Sequence, residues 1–149
     1  MTRVAYSQFC DDVRAELGNK LSVMGIYSGE IIVPSAPFVL ARLCCVAACM
    51  TPVERPFSSL AFRLAVDGTE IARGEIPEEQ LKATMEHVRS KVSGPDPISR
   101  ISASMTLLLS PYMVTAPHII KAYAIADGEE LPAGRLYVTV HNPEISHPT

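Results

Sequence analysis

The residues in this chain best equipped for chemistry are its four cysteines and four histidines. Cys44, Cys45 and Cys49 fall within six residues of one apolar run, and Cys10 stands apart. A zinc site draws ligand pairs from turns, at Cys-x-x-Cys or His-x-x-x-His spacing, and neither spacing occurs. On a strand, Cys45 and Cys49 share one face and Cys44 takes the other, which suits packing in a core. Neighbouring cysteines pair only through a strained ring, so the cluster reads as reduced, buried thiols of a cytosolic protein. Cys10 is a poor nucleophile, because Asp11 and Asp12 follow it and nearby negative charge raises a thiol's pKa. No histidine is marked as its base.

The histidines are scattered. His87 falls on the polar side of a helical pattern, His118 follows Pro117 in a loop, His141 ends the last strand and His147 sits in the tail. Asp11, Asp12 and Glu16 lack the alternate-position oxygens and glycine of a calcium loop. Glu78 and Glu79 are explained by the positive end of a helix. There is no Gly-x-Gly-x-x-Gly, no phosphate-binding loop and no Gly-x-Ser-x-Gly. No catalytic residue, metal ligand or cofactor is therefore assigned. The residues without a firm structural role are Asp11, Asp12 and Lys20, and these form the candidate contact surface.

Bulk properties narrow the class. The 149 residues fit one domain, 1–149, with a short tail at 142–149. Hydrophobic residues make up 48% and charged residues 19%, a globular balance. The net charge of −3, the lack of a basic stripe and the absence of Trp argue against a nucleic-acid partner. The N-terminal residues carry no apolar core of a secretory signal. The run Val39–Met50 is broken by Arg42 and falls short of the ~18 residues a spanning helix needs, so no membrane role is expected.

These candidates must be positioned by short strands. Residues 4–17 read equally as helix or strand. Gly18-Asn19 is a turn, and Leu21–Tyr27 is a strand apolar on both faces, with Gly25 marking a bulge or close approach. Glu30–Val33 is extended and closes at Pro34. Leu43–Met50 is a strand with neither face polar, and Thr51–Pro56 is a loop because two prolines oppose pairing. Leu60–Val66 alternates, Asp67-Gly68 is a hairpin turn, and Thr69–Ile76 returns. Pro77 occupies the first position of a helix over 77–93 with Leu81, Met85, Val88 and Val92 as its apolar stripe. Ile101–Leu109 alternates, and Ile119–Ala126 with Leu136–Val140 forms a late hairpin around Asp127–Gly134. The sum predicts a mainly β fold: a two-sheet antiparallel β-sandwich of about seven or eight strands with one inserted α-helix. The helix covers an open end of the sandwich or one of its edges.

The segment Asp11-Asp12-Val13-Arg14, followed by Gly18-Asn19-Lys20-Leu21-Ser22-Val23-Met24-Gly25-Ile26-Tyr27, resembles a family of small, functionally uncharacterised proteins from bacteria, prophages and phages. Its members carry an acidic segment, a Gly-Lys-hydrophobic-Ser turn and a Gly-Ile/Val-aromatic strand near the N-terminus. Here Asn19 lengthens the turn by one residue. The similarity runs on through Pro56-Phe57 and Leu60–Val66 and thins in the helix; the closing hairpin is similar in pattern only. The resemblance implies a β-rich single domain and a phage or prophage origin, and it supplies no catalytic residues.

The expectation that follows is a non-enzymatic structural or accessory protein acting through protein–protein contacts, by self-association or within a larger assembly such as a virion. It would reside in the host cytoplasm or the virion. The alternative is a soluble effector that binds a host protein or a small ligand, for example against a defence pathway. An unrecognised hydrolase or thiol enzyme is the third reading; it requires Cys10 or a histidine in a concave pocket beside a charged partner.

Overall fold

A computed structural model describes residues 2–141; the tail expected at 142–149 lies outside the described residues. The described residues are mainly β, with eleven strands and one helix among them: β1 (Val4–Glu16), β2 (Lys20–Ile26), β3 (Glu30–Val33), β4 (Phe38–Leu40), β5 (Leu43–Pro52), β6 (Leu60–Val66), β7 (Thr69–Glu75), α1 (Glu78–Arg89), β8 (Arg100–Leu109), β9 (Tyr112–Val114), β10 (His118–Ala126) and β11 (Glu129–Val140). A four-stranded sheet, in the order β2-β1-β5-β8, packs against a five-stranded sheet, in the order β3-β11-β10-β6-β7. The β-sandwich with an inserted helix is thus present, built from more strands than the expected seven or eight.

The ambiguous segment 4–17 is a strand over Val4–Glu16. Its alternation of half-buried and exposed residues and its ladder to β5 decide the matter. The near-helical spacing of Tyr6, Phe9, Val13 and Leu17 was coincidental. Two short strands account for part of the excess. β4 and β9 pair with each other, Leu40 opposite Tyr112, in the same register that sets Leu43 opposite Leu109 in the β5–β8 ladder. The ribbon is therefore that ladder resumed after a break at Ala41–Arg42 and Ser110–Pro111, where the Ser110 hydroxyl donates to the Ala41 carbonyl at 2.9 Å. β3 joins β11 in parallel, the one parallel pairing in an otherwise antiparallel arrangement of the described strands.

Three boundaries differ from expectation. β5 runs on through Thr51 and Pro52, which oppose Ile101 and Arg100. Proline lacks only a donor, and the next residue, Val53, donates to the Ser99 carbonyl at 3.1 Å. The late hairpin turns on Asp127-Gly128 alone, and β11 begins at Glu129. Gly134, with φ +103°, marks the irregularity that let the preceding residues pass for a loop. The helix spans Glu78–Arg89 and not 77–93. Pro77 precedes it with ψ 139°, its carbonyl accepting from the Leu81 N–H at 3.0 Å, and after Arg89 the chain tightens through a 2.8 Å bond from Lys91 N–H to the Val88 carbonyl.

The core lies between the sheets. Phe9, Leu43, Cys45, Ala47 and Cys49 from the first meet Phe62, Leu64, Ile120, Leu136 and Val138 from the second. Leu81 and Met85 bring α1 onto this core beside Phe57. That end is tied by a buried guanidinium: Arg3 donates to Thr51 Oγ1 (3.1 Å), the Ala126 carbonyl (3.1 Å) and Asp127 Oδ2 (2.5 Å). Among the described residues no helix is long and apolar enough to cross a membrane.

Candidate functional site: the hairpin arm

β5 pairs with β1 only over Val4–Cys10. Beyond Cys10, β2 is the only ladder partner of β1 among the described residues, out to Glu16 opposite Lys20. This two-stranded remainder is an arm. Its direction follows from Cys44. Cys45 and Cys49 belong to the core, so Cys44 faces the outer side of the sheet, and its sulfur lies 3.9 Å from the Asp11 carbonyl. The chain past Cys10 therefore crosses the outer side of the sheet. Its tip, through Ala15, Glu16, Asn19 and Lys20, borders a shallow depression shared with Ser104–Thr106 of β8 and Gln80 of α1. The crossing accounts for burial of Cys10 and Cys44 on a face that looks away from the core.

The bend is made at Gly25. It has φ +67°, and a Cβ there would overlap the Asp11 carboxylate. Glycine alone gives both the backbone angle and the space. Through that space the Tyr27 hydroxyl donates to Asp11 Oδ1, and the Tyr27 N–H donates to the Phe9 carbonyl at 2.9 Å. Burial and the bond to Asp11 push the Tyr27 hydroxyl up to about 12.

The remaining polar residues of the arm are internally engaged. Asp12 accepts from Arg42 at 2.7 Å and from the Val13 N–H at 2.9 Å. These bonds hold its carboxyl below the ordinary aspartate range. Glu16 Oε1 accepts from Arg14 at 2.8 Å and from Ser22 at 2.9 Å. Gly18 (φ +80°) and Asn19 (φ +59°) make the turn. Lys20 opposes Glu16 in register, yet no carboxylate lies within ion-pair distance of it among the described residues. The three candidate residues thus share one arm but not one site: Asp11 holds the bend, Asp12 anchors the arm to Arg42, and Lys20 is open to solvent.

What the arm presents is apolar. Leu17 at its tip is 93% exposed, and Leu21, Met24 and Ile26 are about half exposed along β2. β2 is also a sheet edge. The other edges are blunted in familiar ways. β3 is four residues long and runs into Pro34. β7 carries Arg73, which pairs with both Glu70 and Glu75. β8 is approached by β7, where Gly74 lies against Met105 and Leu107. β2 has no charged residue after Lys20.

Residues that sequence reasoning missed are Arg42, Tyr27 and Leu17 on the arm, and Arg3 with Asp127 at the far end. Gly25 was the available signal for Asp11 and Tyr27, since a glycine inside a strand marks close approach. Arg42 carries no such signal.

The other chemistry-bearing residues do not assemble. All four cysteines are free and buried, and desolvation pushes Cys10 and Cys49 up to about 11 and Cys45 to about 12. His87 is exposed on α1. His118 begins β10, not a loop, with Nδ1 2.7 Å from the Ala116 carbonyl and Nε2 engaged by the Tyr112 hydroxyl. Among the described residues no three His, Cys, Asp or Glu side chains are grouped to hold a metal. A concavity of about 620 Å³ lies on the outer face of the five-stranded sheet and is lined by His118, Lys121, Tyr123, Tyr137 and Thr139 among others. The chain matches no protein-family model and no curated protein sequence.

Proposed function

We propose that this chain is a non-enzymatic structural or accessory protein that acts through protein–protein contact, and that the arm is its contact element. The observation that carries this is the exposure of Leu17, Leu21, Met24 and Ile26 on a bare sheet edge. Uncovered apolar side chains along an open edge are a surface for another protein. The arm is held in one conformation by Asp11, Asp12, Arg42 and Gly25, so little ordering entropy is lost on docking. The raised pKa values of the thiols favour this reading over a thiol enzyme. The N-terminal resemblance supports a phage or prophage assembly, in the host cytoplasm or the virion, as the setting of this proposal.

The test is the L17K/L21K double variant. Both side chains are exposed, so the fold survives; the native chain is expected to associate in analytical ultracentrifugation and to be found in purified particles, and the variant is expected to do neither. Unchanged association by the folded variant would overturn the assignment.

A second reading, a soluble effector holding a small anionic ligand, draws on the concavity by Lys121. Beside it Arg135 lies directly opposite Lys121, the two lining a smaller depression with Tyr123 and Pro132, and neither side chain has a carboxylate at ion-pair distance among the described residues. Like charges opposed across a ladder repel unless an anion sits between them. Titration with inorganic phosphate, followed by the chemical shifts of Arg135, tests it; shifts identical in a K121A variant would dismiss it.

A further inference from the structure

Whatever the arm touches, the sheet at its root holds two thiols placed for one another. We propose that Cys10 and Cys44 are a cross-strand dithiol that a hydroperoxide converts to a disulfide, stapling the root of the arm to β5.

The register places them. Cys10 stands directly opposite Cys44, on the last rung of the β1–β5 ladder before the arm departs. The Phe9 carbonyl accepts from the Tyr27 N–H on the β2 side, so the backbone groups of Cys10 face β5. Cys10 and Cys44 are thus a pair that exchanges both ladder hydrogen bonds, with Cα atoms about 5.5 Å apart. Disulfides span about 4.4–6.8 Å between Cα atoms, most often about 5.5–6 Å. Both side chains leave on the outer side of the sheet, since the adjacent Phe9 and Cys45 belong to the core. The Cys10 thiol reaches the Cys44 sulfur as a hydrogen-bond partner.

No other pairing is open to the four cysteines. Cys44 and Cys45 are neighbours that could pair only through a strained ring. Cys45 and Cys49 are four positions apart on one strand, about 13 Å, and stand opposite Phe9 and Ala5. Cys10 and Cys45 project to different faces.

Both thiols are buried beneath the arm. The Asp12–Arg42 ion pair sits at the next position along the same face. Desolvation raises both thiols. At Cys44 the rise is opposed by Arg42, the Val13 N–H and the Cys10 thiol; at Cys10 it is opposed only by the Asp12 N–H. Cys44 is therefore the first to become a thiolate. Its sulfur attacks one oxygen of the hydroperoxide and the O–O bond breaks. Cys44 becomes a sulfenic acid, and the other oxygen leaves, protonated, as water or an alcohol. The Cys10 sulfur then attacks the Cys44 sulfur, gives up its proton and expels hydroxide, which takes that proton and leaves as water. Two thiols lose two electrons in total, and one peroxide bond gains them. Little thiolate is present at neutral pH, so the step is slow. That suits a lasting change of redox surroundings better than a rapid signal. The bond closes a ring that contains all of β2, β3 and β4, and holds the arm's root without the Asp12–Arg42 pair.

The test is hydrogen peroxide on the full native chain, with the thiols mapped by mass spectrometry after unfolding and alkylation. Two of the four thiols should be lost, and the chain should become about 2 Da lighter. One peptide pair should carry a Cys10–Cys44 link that dithiothreitol reverses. The melting temperature should rise by about 5 °C or more, because the ring restricts the unfolded chain. Cys10→Ser should stop at the sulfenic acid, which dimedone then labels at Cys44. Cys44→Ser should form no link and show no rise. Mapping the native chain needs neither variant, so a variant that misfolds leaves the test intact. A native chain that keeps all four thiols under prolonged peroxide at alkaline pH overturns the proposal. So does a link through Cys45 or Cys49, a link between two chains, or oxidation that ends in sulfinic acid with no link.

Discussion

Asp11 and Tyr27 are joined by a hydrogen bond that passes over Gly25, where any side chain would occupy the carboxylate's position. The arm's bend therefore depends on three residues whose spacing is invisible to any local pattern. Gly25→Ala meets two obstacles at once: a left-handed backbone angle of +67° and overlap with Asp11. A loss of about 2 kcal/mol or more is expected in urea unfolding. Adding Asp11→Ala should recover only the part due to overlap, and full recovery would show the backbone angle to be free of cost. Tyr27 adds a pH signature. Its folded pKa is raised above the unfolded value, to about 12, so its contribution is complete below ~10 and disappears as pH rises from there through about 12. Tyr27→Phe should abolish that alkaline decline.

Arg3 and Asp127 make the corresponding tie at the other end of the sandwich. The guanidinium is almost wholly buried and also lies over the Phe57 ring at 5.2 Å. Burial raises the Asp127 carboxyl, but Arg3 and the N–H groups of Ser59 and Ser58 outweigh it, and the net shift is downward. A depressed folded pKa contributes stability above the unfolded value of ~3.9 that is lost as pH falls through the folded one. Melting temperature should thus hold from neutral pH to ~5 and decline below ~4. Asp127→Asn should flatten that decline. At neutral pH it should cost about 3 kcal/mol, because it strands a buried cation.

Strands with clear alternation or a diagnostic turn were legible in the sequence, as at Leu60–Val66, Asp67-Gly68 and Ile101–Leu109. The both-faces-apolar pattern of Leu43–Met50 correctly implied a strand covered on both sides. What covers Cys44 was not legible, because the covering segment lies more than thirty positions upstream, and its bend rests on one glycine. β4 and β9 escaped notice for a similar reason: three residues are too few to show a period, and only the continued β5–β8 register reveals them. Asp11 and Asp12 were marked as surface residues of interest. The structure divides their roles, since Asp12 needs Arg42 and Asp11 needs Tyr27, and neither partner stands at a local spacing. Arg3, in a polar stretch near the chain start, gave no sign of burial. Its partners Thr51, Ala126 and Asp127 are contributed by strands and turns far along the chain.

The thiols give a prediction free of any assumption about function. Desolvation raises Cys10, Cys45 and Cys49 well above the ordinary thiol value, and Cys44 is raised by the same cause. Only the thiolate reacts with a disulfide reagent. At pH 8 the native protein should react slowly with Ellman's reagent, and all four thiols should react promptly in guanidinium. Cys45, buried in the core, should be the last protected. A single fast-reacting native thiol would mean that the arm lifts from Cys44, and linking the arm through Arg42→Cys and Asp12→Cys would then suppress it.

Leu17 and Leu136 are the same residue type at opposite extremes of exposure. Leu136 is fully buried between the sheets, and Leu17 is 93% exposed at the tip of the arm. Leu136→Ala removes buried methyl groups and leaves a cavity, so about 3 kcal/mol of stability should be lost. Leu17→Ser should change stability by less than about 0.5 kcal/mol. Leu17, on an arm secured by Asp12 and Arg42 and bent at Gly25, is the position at which the proposed contact role of the arm can be tested without disturbing the fold. Measured side by side, denaturation should distinguish Leu136→Ala from the native chain and leave Leu17→Ser unmoved. Sedimentation should do the reverse, with Leu17→Ser shifting association and Leu136→Ala, below its unfolding transition, leaving it intact. A Leu17→Ser protein that unfolds early would instead place that side chain in the fold and remove the arm tip from the contact surface.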